Sequence, residues 1–150
     1  MPVYSLAYAS RANQEFTWDE LEELGERAGR KNVSLRITGY LCYQDGSFFQ
    51  YLEGPLVALN GLMDEIRMDQ RHDVFNEIDL GQIGIRNFPD WSMRVLSQDG
   101  LKLMRMEDVL RQVLSTMTEV DYGRDRLRKL ILPMVTRIAD RQTMLSGPPG

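Results

Sequence analysis

Phe48-Phe49-Gln50-Tyr51-Leu52-Glu53-Gly54 is the stretch on which the rest of the chain turns. Its aromatic and aliphatic residues are those of a buried strand, yet an amide stands at its centre. Side chains alternate along a strand, so Gln50 projects with Phe48 and Leu52 into the apolar side. An amide placed there costs stability unless it is hydrogen-bonded, so polar partners must wait for it on neighbouring elements.

Working outward, Gln44-Asp45-Gly46 is a tight turn into this strand, and Arg36 to Tyr43 supplies the other arm of a hairpin. Val3 to Ser10 reads as a first strand. Phe16-Thr17-Trp18-Asp19-Glu20-Leu21 starts a helix, with Thr17 as N-cap, Glu20 closing a capping box and Phe16 and Leu21 set as a hydrophobic staple. That helix is expected to run to about Arg30, its inner stripe being Leu21, Leu24, Gly25 and Ala28. Gly54-Pro55 ends the third strand and opens a second helix with Leu59, Leu62, Met63 and Ile66 on one face. Val74 to Ile85 and Trp91 to Leu96 read as strands four and five.

The order βαββαββ predicts an α+β fold, a ferredoxin-like sandwich in which two helices cover one face of a mixed sheet. Residues 1–97 form this unit, and residues 98–150 form a helical extension. The extension carries two apolar stripes, one within Leu101 to Met117 and one within Tyr122 to Met144, that either cap the open face of the sheet or pair two copies of the chain. Pro133 is expected to break or kink the second near Ile131 or Leu132.

The 150 residues, 43% of them hydrophobic, suit one compact domain. A net charge of -4 argues against non-specific nucleic-acid binding, and the basic run Arg124 to Lys129 alternates with apolar residues as a solvated helix face does. Cys42 is the one cysteine and His72 the one histidine, so neither an intrachain disulfide nor a zinc-type ligand set can form. His72 reads as an exposed loop residue. With no signal-peptide pattern and no apolar run of about 18 residues, a cytoplasmic protein without a membrane span is expected.

A sandwich of this kind leaves a slot between its two helices and above the sheet. Tyr8 near the end of the first strand, Gln50 in the third and Asn32 just after the first helix should converge on it, with Leu24 and Ile66 gripping from either side. Such walls suit a planar aromatic ligand with hydrogen-bonding edges. These residues also carry a family resemblance. Leu6-Ala7-Tyr8-Ala9-Ser10, Asn32, Ile37-Thr38-Gly39-Tyr40-Leu41-Cys42-Tyr43, the Gln50 strand, Asp69-Gln70-Arg71-His72 and Phe88-Pro89-Asp90-Trp91-Ser92-Met93, in that order and spacing, resemble BLUF domains, the flavin-based blue-light sensors.

The resemblance implies FAD as ligand, with FMN or riboflavin as variants carrying the same ring. It implies Tyr8 as electron and proton donor, Gln50 as the hydrogen-bond switch, Asn32 as the holder of the ring edge, and Leu24 and Ile66 as its clamp. Trp91 and Met93 match a pair that relays the signal from Gln50. Phosphate contacts are expected from Arg30, Lys31, Arg67 or Arg71, because Glu65 stands where the family often has a basic residue. The chemistry fits these residue types: a phenol can release an electron and a proton together, and an amide reverses its hydrogen-bond polarity by turning. An enzyme with its own turnover is disfavoured, since no Gly-rich phosphate loop, no Ser/His/Asp arrangement and no paired carboxylates in an apolar pocket are present. The expected role is a photoreceptor, a homodimer or higher oligomer through its C-terminal helices, acting on a protein partner. The alternative is the sensor portion of a light-activated nucleotide cyclase or another fused effector. The Ser146 to Gly150 tail reads as the end of a complete short photoreceptor.

Overall fold

The computed structural model describes residues 2–119 and 122–145. Five strands form one mixed sheet: β1 (Val3–Ala12), β2 (Thr38–Gln44), β3 (Ser47–Gly54), β4 (His72–Ile83) and β5 (Arg94–Leu96), in the spatial order β4-β1-β3-β2-β5. All neighbours are antiparallel except β2 and β5. Helices α1 (Trp18–Leu35) and α2 (Leu56–Met68) cover the front face, where Leu21, Leu59, Leu62 and Met63 pack with Tyr8, Leu41, Phe48 and Leu52. The back face is covered by α3 (Gln98–Leu103), α4 (Glu107–Met117) and α5 (Arg124–Arg141), followed by a 3-10 turn at Gln142–Leu145. The ferredoxin-like α+β architecture with C-terminal helices is therefore present.

Local chemistry accounts for most boundaries. The Thr17 hydroxyl accepts from the Glu20 N–H at 3.2 Å while Glu20 accepts from the Thr17 N–H at 3.0 Å, which closes the capping box. Asp45 and Gly46, at φ 53° and 78°, make the two-residue hairpin turn whose twist matches the strands. Gly39, at φ 153°, is demanded by space as well: a Cβ there would lie 1.9 Å from the Tyr51 carbonyl oxygen. Its N–H donates to the Trp91 carbonyl at 2.8 Å, which seats the segment leading into β5.

Four expectations need correction. Helix α1 continues past Arg30 to Leu35, so Asn32 sits on its buried face, because Gly29 and Asn32 extend the inner stripe by three and four. Strand β4 begins two residues early, at His72, and ends at Ile83. Strand β5 is only Arg94–Leu96, with Trp91 to Met93 in irregular backbone before it. Beyond it the first apolar stripe is split, since Arg105 at φ 58° separates α3 from α4.

Pro133, in contrast, does not interrupt α5. An internal proline costs about 3 kcal/mol. Leu127, Ile131, Met134, Val135 and Ile138 are all buried, and burying such side chains stabilises by about 1.5–3 kcal/mol each. Packing on the sheet outweighs the break. The same burial uses the stripes against the chain's own back face, so pairing of two copies would have to use the outward residues of these helices. Residues 146–150, where the sequence suggests a terminal tail, lie outside the described residues.

Candidate functional site

Between α1 and α2, above β1 and β3, lies a cavity of about 150 Å³ that is open to solvent on one side. Leu24 and Ala28 from α1 and Leu62 and Ile66 from α2 form its walls, Leu41 and Phe48 part of its floor, and Tyr8, Asn32 and Gln50 its polar edge. Flat apolar walls with a few convergent donors and acceptors are the features of a site for an aromatic ring.

The polar edge is tightly organised. Tyr8 Oη donates to Gln50 Oε1 at 2.5 Å, and both side chains are buried. The strand register puts Tyr8 directly opposite Gln50, which brings the two side chains together without any loop. Because Oε1 accepts from the phenol, the Gln50 Nε2 end points the other way and donates to Met93 Sδ at 3.0 Å. Asn32, 1% exposed, donates through Nδ2 to the Ser92 carbonyl at 3.0 Å, pinning α1 to the segment that carries Met93. Burial, with a smaller contribution from the Asp69 charge, pushes the Tyr8 phenol well above its usual pKa and keeps its proton in place at neutral pH.

Charged groups gather at the mouth. Lys31 on α1 pairs with Glu65 on α2. Arg71 holds Asp69 through Nη2 at 2.5 Å and Nε at 3.0 Å, and this guanidinium lowers the Asp69 carboxyl to about 2. Of the expected cations, Lys31 and Arg71 line the cavity, whereas Arg30 and Arg67 do not. Arg30 borders a separate groove between α1 and Ser92–Val95. Arg67 is spent on a two-pronged bond to Glu77, both arms at 2.6 Å, and on Asp64 at 2.8 Å.

Trp91 and Met93 also part company. In a regular strand they would share a face, but the backbone here is irregular, and only Met93 turns toward Gln50. Trp91 joins the back-face core, stacked on Phe88 at 5.0 Å with Arg94 over its ring at 5.4 Å. His72 is not an exposed loop residue. It is 9% exposed, lines the cavity and is hydrogen-bonded through both ring nitrogens. The available signal was its spacing of two from Val74, which packs into the front-face core.

The family profile described as sensors of blue light using FAD matches residues 3–94. The chain belongs to the BLUF family of blue-light flavin sensors. It is 32% identical over 119 residues to photoactivated adenylate cyclase subunit beta of Euglena longa, a match covering 78% of this chain and 14% of that protein. It thus spans about a seventh of that relative's length. Among solved structures, a bacterial light-regulated adenylyl cyclase superimposes with a TM-score of 0.64 at 28% identity, covering 76% of this chain and 34% of that one. The dark-state structure of BlrB, a BLUF protein, gives 0.62 at 27% identity, covering 88% and 96%. Among the described residues no helix is long and apolar enough to cross a membrane.

Proposed function

We propose that Tyr8 and Gln50 are the photochemical pair of this sensor and that the cavity between α1 and α2 holds the ring of a flavin. The observation that carries this reading is the 2.5 Å hydrogen bond between their side chains at the wall of a cavity with apolar sides. Bound flavin would supply the blue-light absorption and a transient acceptor for one electron, and FAD, FMN and riboflavin share that ring. Leu24 and Ile66 would clamp it, Asn32 and Gln50 would meet its polar edge, and Lys31 and Arg71, which line the cavity, would turn from their carboxylate partners to the phosphates. Arg30 and Arg67 are left out of this role by their surroundings.

Two contacts support the protein's part in this reading, Tyr8 to Gln50 and Gln50 to Met93. With the bound ring as the acceptor of its electron, Tyr8 would pass its proton along the bond to Gln50 Oε1, and the amide would then turn or change tautomer so that donor and acceptor ends exchange. Nε2 leaves the Met93 sulfur in the process, and the change reaches the Ser92–Val95 segment. Electron and proton return to Tyr8, so nothing is consumed and the chain has no turnover of its own. Residues 1–97 act as the sensor, and residues 98–150 carry the change to a partner in the cytoplasm, where the buried Cys42 thiol stays reduced.

The purified protein should be yellow, and blue light should shift its absorption reversibly to the red. Tyr8→Phe and Gln50→Ala should keep the colour and lose the shift. A normal shift in either variant would falsify the pairing. The fraction of the Euglena longa cyclase covered supports a second reading, in which the chain is the input module of a fused effector such as a nucleotide cyclase. Light-dependent formation of a cyclic nucleotide by the complete gene product, with none from residues 1–150, would distinguish it.

A further inference from the structure

We infer that His72 is a positioning residue for the photochemical pair, a strut with one donor and one acceptor that sets the distance between β1 and the last turn of α2. This rests on the reading of the cavity as a flavin site. His72 Nε2 lies 2.8 Å from the Ile66 carbonyl oxygen, and Nδ1 lies 2.7 Å from Ser10 Oγ. A carbonyl can only accept, so the proton of the neutral ring is on Nε2. Nδ1 then accepts from the Ser10 hydroxyl.

One end of the strut is in the cavity wall and the other lies two residues from Tyr8 in β1. Ile66 forms part of the cavity wall, and its carbonyl is one of the last four of α2, which have no partner inside the helix. No glycine closes this helix: the cap residue Asp69 is extended, and its N–H reaches the same carbonyl only at 3.2 Å. Ser10 is fully buried two residues beyond Tyr8, where the β1–β4 pairing slips between Ala9 and Ser10. A slip of this kind re-aims side chains next to functional sites. The imidazole itself stands edge-on to Tyr8, with centroids 6.0 Å apart, and to Phe48 at 6.1 Å. It therefore fixes the Ile66 wall and the Tyr8 ring relative to each other.

The requirement is chemical rather than steric, which the choice of variants can separate. His72→Gln keeps a donor nitrogen and an acceptor oxygen, His72→Leu keeps volume only, and Ser10→Ala removes the donor to Nδ1. All are compared with the wild type for flavin retained, size of the light-induced red shift, and rate of dark recovery. We expect recovery about fivefold to tenfold faster in His72→Leu and Ser10→Ala, the worth of about one neutral hydrogen bond, and within about twofold of wild type in His72→Gln. Equal recovery rates in His72→Leu and His72→Gln would overturn the inference. If His72→Leu fails to fold, wild-type recovery in Ser10→Ala overturns it instead. A wild type without flavin or shift removes the functional reading, whereas a normal wild type with indifferent variants removes this inference alone.

Discussion

Gln50 and Glu53 are buried among apolar neighbours on opposite faces of β3, and the two faces treat them differently. On the front, Gln50 makes one bond to Tyr8 and one to a thioether, and it lines a cavity. On the back, Glu53 is fully buried, and its carboxylate accepts from the Phe88 N–H at 2.6 Å, the Asn87 N–H at 3.0 Å, the Tyr51 hydroxyl at 2.9 Å and the Thr38 hydroxyl at 3.2 Å. An amide with a weak sulfur acceptor on one end can turn at small cost. A carboxylate held by four donors cannot, because the Phe88 N–H and the Tyr51 hydroxyl would be left buried without that partner. One strand thus carries the proposed switch on one side and an anchor on the other.

The anchor matters to the switch because the loop it holds leads to Trp91 and Met93. Phe88, whose N–H Glu53 accepts, stacks on Trp91, and the Asn87 carbonyl accepts from Gln142 Nε2 at 3.0 Å. Arg94 in turn reaches the Leu145 carbonyl at 3.3 Å. The segment that carries Met93 is therefore tied by hydrogen bonds to the end of the described chain, a route the proposed change could take.

If the back face is an anchor, Glu53→Leu should have the largest effect, lowering unfolding free energy in urea by about 3 kcal/mol or more as its donors lose their acceptor. A loss under about 1 kcal/mol would mean that the loop finds other partners. The front face should respond in kinetics rather than stability. Met93→Leu keeps bulk but removes the sulfur that Nε2 uses, and dark recovery should change by about tenfold, as expected for a shift near 1.4 kcal/mol in the barrier. Trp91→Phe, on the back face, should leave the size of the red shift unaltered and change recovery by less than about threefold, well under one hydrogen bond's worth. A lost shift in that variant would show that the faces are not separate.

The smallest effect should come from pH. Asp69 is held near 2 in the folded protein against its ordinary 3.8, so the unfolded chain binds more protons between those values. Its contribution is complete above about pH 4 and is lost as pH falls toward 2. Melting temperatures measured from pH 2 to 5 should show a steeper rise for the wild type than for Asp69→Asn. Parallel curves would remove Arg71 as the cause.

Sequence alone determined the order of elements, the hairpin turn at Asp45-Gly46, the capping box at Thr17 and the meeting of Tyr8 with Gln50. Those features depend on neighbours two to four residues away, or on a strand register that the buried alternation of β1 and β3 enforces. Long-range contacts alone decided the rest. Trp91 and Met93 face opposite sides because Gly39 and Asn32 hold the carbonyls of Trp91 and Ser92, contacts across more than fifty residues in backbone without a period. Arg67 serves Glu77 rather than the cavity, His72 bridges two elements, and α5 runs through Pro133, each because tertiary packing or charge outweighs the local preference.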